Sequence, residues 1–406
     1  MRKRRVVITG TGAVSPYGPG VEAMVSGMKE DRCALSVIPD NLLIRDVDCH
    51  VYGAVPQLAE TRSIPRELRR TMSPMTVYAC LAAREALVQS GLGTEDLPRT
   101  GACIGSTMGS GQEMEAVFGY FLSTGGLDAV RTMSFFKTMG HTAASGTALA
   151  FRLGGRVLNP CAACAAGLQG IGLAYEAVAF GREDRMLCGG AEEYTRLATG
   201  TFDKIGAASH SRDPQTASRP FDTRRDGIVC SEGAGILLLE ERESALARGA
   251  DILAEITGFA TISSAFGVAS PDSAASAACM REALADAGAS PDEVVHVNAH
   301  ATATQAGDAA EGRAIADIWG DRVPVSSLKG HLGHSLAASG ALETAACVAM
   351  LRSGRQIGGK RDFDPDPACG GIRHAASNDP LARGLILKNS FALGGIYTSL
   401  ILAPAD

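Results

Sequence analysis

Cys164 opens a run of small residues, AAGLQGIGLAYEAVAFG, whose apolar spacing reads as a helix. At a helix N-terminus the unpaired N–H groups and the positive dipole end favour thiolate over thiol, so a cysteine there is a candidate nucleophile. The competing reading is a small buried hydrophobe, which describes most free cysteines. Cys161 completes a C-x-x-C with Cys164, so a dithiol redox pair is a third reading. Zinc is not supported, because no second C-x-x-C or C-x-x-H pair supplies the remaining ligands, and His331 with His334 is only another weak pair far along the chain.

Two histidines keep unusual company. His300 stands just past the β run Val294–Val297, at the carboxyl end of a strand, where open α/β sheets place their sites. His334 stands at the start of a second small-residue helix, SLAASGALETAACVAMLRSG, with Lys329 in the loop before it. A neutral imidazole can donate N–H to a developing oxyanion, and a helix N-terminus disfavours the imidazolium form. A lone histidine in such a loop is more often a structural hydrogen-bonder. Two of them, with a lysine and a helix-start cysteine, point to a site.

Two glycine loops are candidates for backbone chemistry. Gly10-Thr-Gly12-Ala-Val-Ser15 resembles a dinucleotide fingerprint, but Ser15 stands where the third small residue belongs and no acidic partner follows, so it reads as a tight turn. Asn389-Ser-Phe-Ala-Leu-Gly-Gly395 offers backbone amides to an oxyanion, or is a flexible turn.

Short β-branched runs at Val6–Ile8, around Ile104, and at Ile252–Ile256, Val294–Val297 and Leu385–Leu387 alternate with helical stretches, which is the pattern of an α/β fold. One helix is legible end to end, with Ser73 as N-cap, Pro74 at its first position, Met75, Val77, Leu81, Leu87 and Val88 as apolar positions, and Gly91 as the stop. Gly167, Gly170 and Gly172 each cost about 0.5–1 kcal/mol in a helix, so another backbone must pack closely there. The order small-residue helix, strand, glycine turn occurs after Cys164 and again after His334. It predicts two similar halves, 1–250 and 251–406, in one compact body.

Composition narrows the class. The 406 residues are 46% hydrophobic and 20% charged, which excludes disorder and fibrous structure. Lys plus Arg number 38 against 44 Asp plus Glu, a net charge of −6 that gives no broad nucleic-acid footprint. No apolar stretch is long enough to span a membrane. The basic start Met1–Arg5 resembles a signal n-region, but the Gly and Pro that follow read as strand and turn, so a cytoplasmic address is expected. The 11 cysteines show no framework spacing and suit reduced thiols.

In their order along the chain, RRVVITGTGAVSPYG, PCAACAAGLQGIGLAYEAV, LCGGAEE, SRPFDTRRDGIVCSEGAGILLLEE, VNAHATATQAGDAAE, SSLKGHLGHSLAASGALE and NSFALGG resemble the elongating β-ketoacyl-acyl-carrier-protein synthases of the thiolase superfamily, over nearly the whole length. The resemblance implies a thiolase-like α/β fold, two halves stacked as a five-layered α-β-α-β-α body. It implies that Cys164 is the nucleophile, His300 and His334 the paired oxyanion donors, and Lys329 an electrostatic support acting through Glu311, with Thr302, Thr304 and Asp308 also supporting. It implies an oxyanion and gating loop at Phe391, Leu393, Gly394 and Gly395, an acyl pocket bounded by Met108 and Phe202, and no metal or organic cofactor, the substrates riding on the phosphopantetheine of an acyl carrier protein. A homodimer, or a heterodimer with a related subunit, is implied too. Arg66, Arg69 and Arg70 form a candidate carrier-protein patch or a solvated charge run. Cys161 becomes a structural thiol.

The departures matter as well. Ala392, Leu393, Ile396 and Tyr397 replace the family's Gly, Phe, Thr and Asn, Ala301 replaces Gly, and Thr138-Met139-Gly140 departs from a usual Pro-Ser pair. These favour a specialised acyl preference. A degradative thiolase is disfavoured because the last glycine loop has no cysteine, a non-catalytic partner subunit because Cys164 is present, and an acetyl-CoA starter synthase because His334 stands where asparagine is expected.

Overall fold

A computed structural model describes residues 3–94, 97–360 and 362–406. Met1 and Arg2, part of the basic start discussed above, lie outside the described residues.

The strands of the main sheet are β1 (Val6–Ser15), β2 (Thr100–Gly105), β3 (Val157–Leu158), β4 (Arg185–Glu192), β5 (Gly233–Glu241), β6 (Ala254–Ser263), β7 (Val294–Asn298), β8 (Pro324–Ser326), β9 (Arg373–His374), β10 (Leu385–Ala392) and β11 (Ile396–Pro404). The helices that concern the site are α1 (Pro74–Gln89), α2 (Gly111–Thr124), α3 (Ser134–Lys137), α4 (Thr142–Ala150), α5 (Ala166–Ala179), α6 (Ser273–Ala287), α7 (Gln305–Trp319) and α8 (Ser339–Ser353).

The strand order is β9-β8-β7-β10-β11-β6-β1-β5-β4-β2-β3, with Gly18–Pro19 folded back on β1. Counted outward from the centre, β1, β5, β4, β2, β3 repeats as β6, β11, β10, β7, β8. The senses repeat too: the first two pairings on each side are antiparallel and the next two parallel. The two sides meet where Val6–Ile8 pairs with Ala254–Ile256.

Helices lie on both sides of this sheet and between its two folded halves. α1 and α4 cover the β1–β5 side, α6 covers β6 and β11 and carries α7, and α5 and α8 pack against each other while touching strands of both halves. The result is the thiolase-like α-β-α-β-α stack. Covered on both faces, the central strands are apolar throughout: all ten residues of β1 are buried.

Close approach explains the glycines of the middle layer. A Cβ on Gly167 would overlap the Ala337 carbonyl at the start of α8, and one on Gly170 would lie 2.6 Å from the Gly189 oxygen. The expected tight turn at Gly10–Gly12 is instead the interior of β1. Those glycines admit α1, because a Cβ on either would overlap a carbonyl of Ala82 or Ala86. α1 begins and ends as expected, but Val88 is 65% exposed and faces away from the core. The strand expected at 252–256 starts at Ala254 and runs on to Ser263.

Candidate active site

Cys164 sits in a one-turn 3-10 helix, Ala163–Ala165, that leads into α5. Ala163 has φ +46°, the left-handed region that alanine rarely occupies, so the chain turns sharply just before the nucleophile position. The second half repeats this device: Leu336, also at φ +46°, opens the one-turn helix Leu336–Ala338 before α8. The turn at Cys164 is pinned from β10, where the Ser390 hydroxyl donates to the Cys164 carbonyl at 3.0 Å.

His300 follows β7 by two residues. Its backbone N–H and that of Ala301 both donate to the Glu311 carboxylate on α7, at 2.8 and 2.7 Å, and the Asn389 amide donates to the same carboxylate. His334 lies edge-on to His300, with ring centroids 5.3 Å apart, and Phe391 flanks His300 at 5.8 Å. The His334 Nδ1 meets the Ser339 hydroxyl at 3.0 Å, whereas Nε2 is buried without a partner among the described residues. A hydroxyl proton donated from Ser339 to Nδ1 would place the imidazole proton on Nε2.

These three side chains share one cavity of about 390 Å³. Phe202, Thr302, Thr304, Glu311, Phe391, Leu393 and Gly395 also line it, as does Tyr397. Gly394 lies just outside the lining, tied by its N–H to the Val268 carbonyl. Asp308 stands behind the wall, accepting from Thr302 N and Phe221 N and lying 3.8 Å from Arg225. Met108 is not among the residues that line this cavity. Beside it the Thr107 N–H donates to the Glu192 carboxylate, and Gly109 lies against the Thr138 carbonyl.

Lys329 is likewise not in the wall. It begins a one-turn helix rather than lying in a loop, it is buried, and its Nζ pairs with Glu343 on α8 at 2.7 Å rather than with Glu311. Glu343 also contacts Lys388 of β10 at 2.6 Å. Neither Glu343 nor Lys388 stood out in the sequence. The signal was a single charge inside each of two apolar runs, SGALETAACVAM and LILKNSF.

The charge states differ from expectation at one place. Burial pushes the Cys164 thiol up to about 12, with Lys329 acting against it, so desolvation outweighs the helix N-terminus. Both imidazoles are held well below their usual range, first by burial and then by the charge of Lys329. They are neutral donors, with burial rather than a helix terminus as the main cause.

The remaining candidates fall elsewhere. Cys161 is exposed and donates to the Thr107 carbonyl, and all 11 cysteines are free thiols. His331 meets the Gly358 carbonyl and Asp31, so the H-x-x-H pair diverges. Arg66 and Arg70 are exposed on a short helix, and half-buried Arg69 donates to the Thr61 carbonyl.

Comparison with known proteins shows the family. Residues 3–245 match the beta-ketoacyl synthase N-terminal domain and residues 253–357 the C-terminal domain. The chain is 32% identical to 3-oxoacyl-[acyl-carrier-protein] synthase 1 of Haemophilus influenzae, over 98% of each chain. It superposes on a beta-ketoacyl synthase from Burkholderia phymatum with a TM-score of 0.95 and 37% identity, covering 99% of this chain and 100% of that one. It also superposes, at 0.90 and 29% identity over the full length of both, on a type II PKS ketosynthase solved in complex with its acyl-carrier protein. With both domain models and full-length relatives matched, the chain belongs to the β-ketoacyl synthase family of the thiolase superfamily, among relatives of synthases 1 and 2.

Proposed function

We propose that the Cys164 cavity catalyses acyl transfer followed by decarboxylative condensation. The observation that carries the reading is the convergence of Cys164, His300 and His334, with an unpartnered Nε2, on one cavity. In the first stage the Cys164 sulfur attacks a carrier-bound thioester; the thiol proton leaves with the departing carrier thiol. In the second, malonyl-carrier protein loses carbon dioxide and the electron pair of the broken C–C bond becomes an enolate. N–H groups of the two neutral histidines stabilise its oxygen. The enolate carbon attacks the Cys164 thioester, the C–S bond breaks, and the thiolate recovers a proton, leaving a 3-oxoacyl carrier two carbons longer.

Phe202, Ile205 and Ile228 give the cavity apolar wall for an acyl chain. The reaction as written balances without a metal or organic cofactor. The partner is an acyl carrier protein, met through Arg66, Arg69 and Arg70, and the chain works as a dimer. Apolar side chains left exposed on α2 and α3, among them Phe118, Leu122 and Phe135, support self-association.

The final loop favours a specialised acyl preference. It is tied down by Gly394 N–H on the Val268 carbonyl, Ser264 N–H on the Gly395 carbonyl, and Asp272 N–H on the Tyr397 hydroxyl. Equal turnover of saturated carriers from short to long would count against that preference.

Intact-mass measurement after incubation with acyl-carrier proteins tests the main reading. Cys164→Ala abolishes the acyl adduct and Cys161→Ala keeps it. Equal loss in both variants favours dithiol chemistry.

A further inference from the structure

β10 reaches the site through Ser390, Phe391 and Ala392. Its alternation sends Ile386, Lys388 and Ser390 toward the middle layer, and Leu387, Asn389 and Phe391 the other way. Each residue of the first row has a definite partner: Ile386 lies in the apolar centre, Lys388 on Glu343, and Ser390 on the Cys164 carbonyl. Lys388 is wholly buried, as is Glu343, and Lys329 is 1% exposed. A lysine ammonium this deep is costly unless paired, yet a single carboxylate serves both lysines. Lys388 adds a second buried ammonium to the Lys329–Glu343 pair, and a further carboxylate that both lysines feel is Glu311.

The cluster lies next to the reacting groups. Lys329 precedes His334 by five residues, and Asn389, adjacent to Lys388, donates to the carboxylate that holds the His300 backbone. The other ionisable groups that feel it are Cys164 at the start of α5, Cys347 on α8, and Glu311 on α7. Glu311 is occupied by three N–H donors and is common to every variant considered below.

We infer that Lys388 is a positioning residue for the condensation step: it shares Glu343 with Lys329 and so adds a buried positive charge beside His300 and His334, where the enolate's negative charge develops. The inference rests on the condensing-enzyme reading above. The same charge opposes protonation of either histidine, whose imidazoles feel both lysines.

The test compares malonyl-carrier decarboxylation with acyl loading of Cys164 across pH. Lys388→Gln keeps a donor for Glu343 but removes the charge. It should slow decarboxylation by about tenfold, short of the roughly 10²–10³-fold lost with a direct oxyanion donor. Because a positive charge beside the histidines is gone, their protonation should begin at higher pH, so the acid limb of the rate profile moves up. Lys388→Gln combined with Glu343→Gln leaves Lys329 alone and gives these three positions the same summed charge as in the wild type, so the acid limb should return toward the wild-type position. Lys388→Arg should stay near wild type. If Lys388→Gln does not fold, Lys388→Met, an unbranched apolar replacement, carries the same expectation.

An acid limb unmoved in the charge-removing variant, or not restored in the double variant, overturns the role of Lys388. If the wild-type protein neither loads Cys164 nor decarboxylates malonyl-carrier protein, it is the condensing-enzyme reading that falls.

Discussion

At the scale of single residues, the site balances a buried thiol against a buried cation. Desolvation holds Cys164 at about 12, so only a small fraction is thiolate at neutral pH, and Lys329 is the charge that raises this fraction. Alkylation of Cys164 by iodoacetamide, followed by peptide mass, should therefore accelerate with pH through the range 7 to 9 without a plateau. Lys329→Met should slow it several-fold while exposed Cys161 reacts unchanged, and equal rates in both proteins would show that Lys329 does not reach the sulfur. Cys164, His300 and His334 were legible because glycine-rich and loop contexts set them apart. Lys388 and Glu343 were not, because sequence spacing carries no sign that β10 and α8 face each other, and a lone charge in an apolar run reads as a surface position. The burial that overrides the helix terminus at Cys164 is a tertiary effect of the same kind.

At the scale of elements, the glycine-containing strands and helices read well where a period was clear and poorly where a contact decided. In the sequence Gly10–Gly12 of β1 reads as a turn, because the reason for those glycines, the α1 carbonyls, lies some seventy residues away. The end of β4 shows a further consequence of packing between layers. Glu192 is buried there, accepts from Thr107 N–H, and has its carboxyl raised to about 8, chiefly by burial. The folded protein thus binds a proton that the unfolded chain releases near its ordinary value of 4.5. That contribution to stability is complete below 4.5 and is lost as pH rises through about 8. Glu192→Gln, which cannot ionise, should flatten the decline of Tm between about pH 5 and 8. A decline as steep as in the wild-type protein would assign it to other groups.

At the scale of the whole molecule, the repeat of strand order and strand sense gives the site its location. Two helices, each entered through a left-handed residue, meet in the middle layer, so the cysteine of one side and the histidines of the other reach a common cavity. The sequence echo hinted at this repeat, but strand order, which makes it unambiguous, depends on pairings that no local pattern encodes. The same order leaves an open edge. β3 ends the sheet with Val157 and Leu158 43% and 37% exposed, and apolar side chains of α2 and α3 are exposed as well. An unpaired strand edge with apolar side chains invites a second copy. Replacing Val157 and Leu158 with lysine puts like charges on both sides of a two-fold contact at that edge, where each strand would meet its own copy. The variant should sediment at half the wild-type mass while its circular dichroism is unchanged, because neither residue serves the core. An unchanged mass would move the dimer contact to another face, and a wild-type protein that sediments as a monomer would remove it.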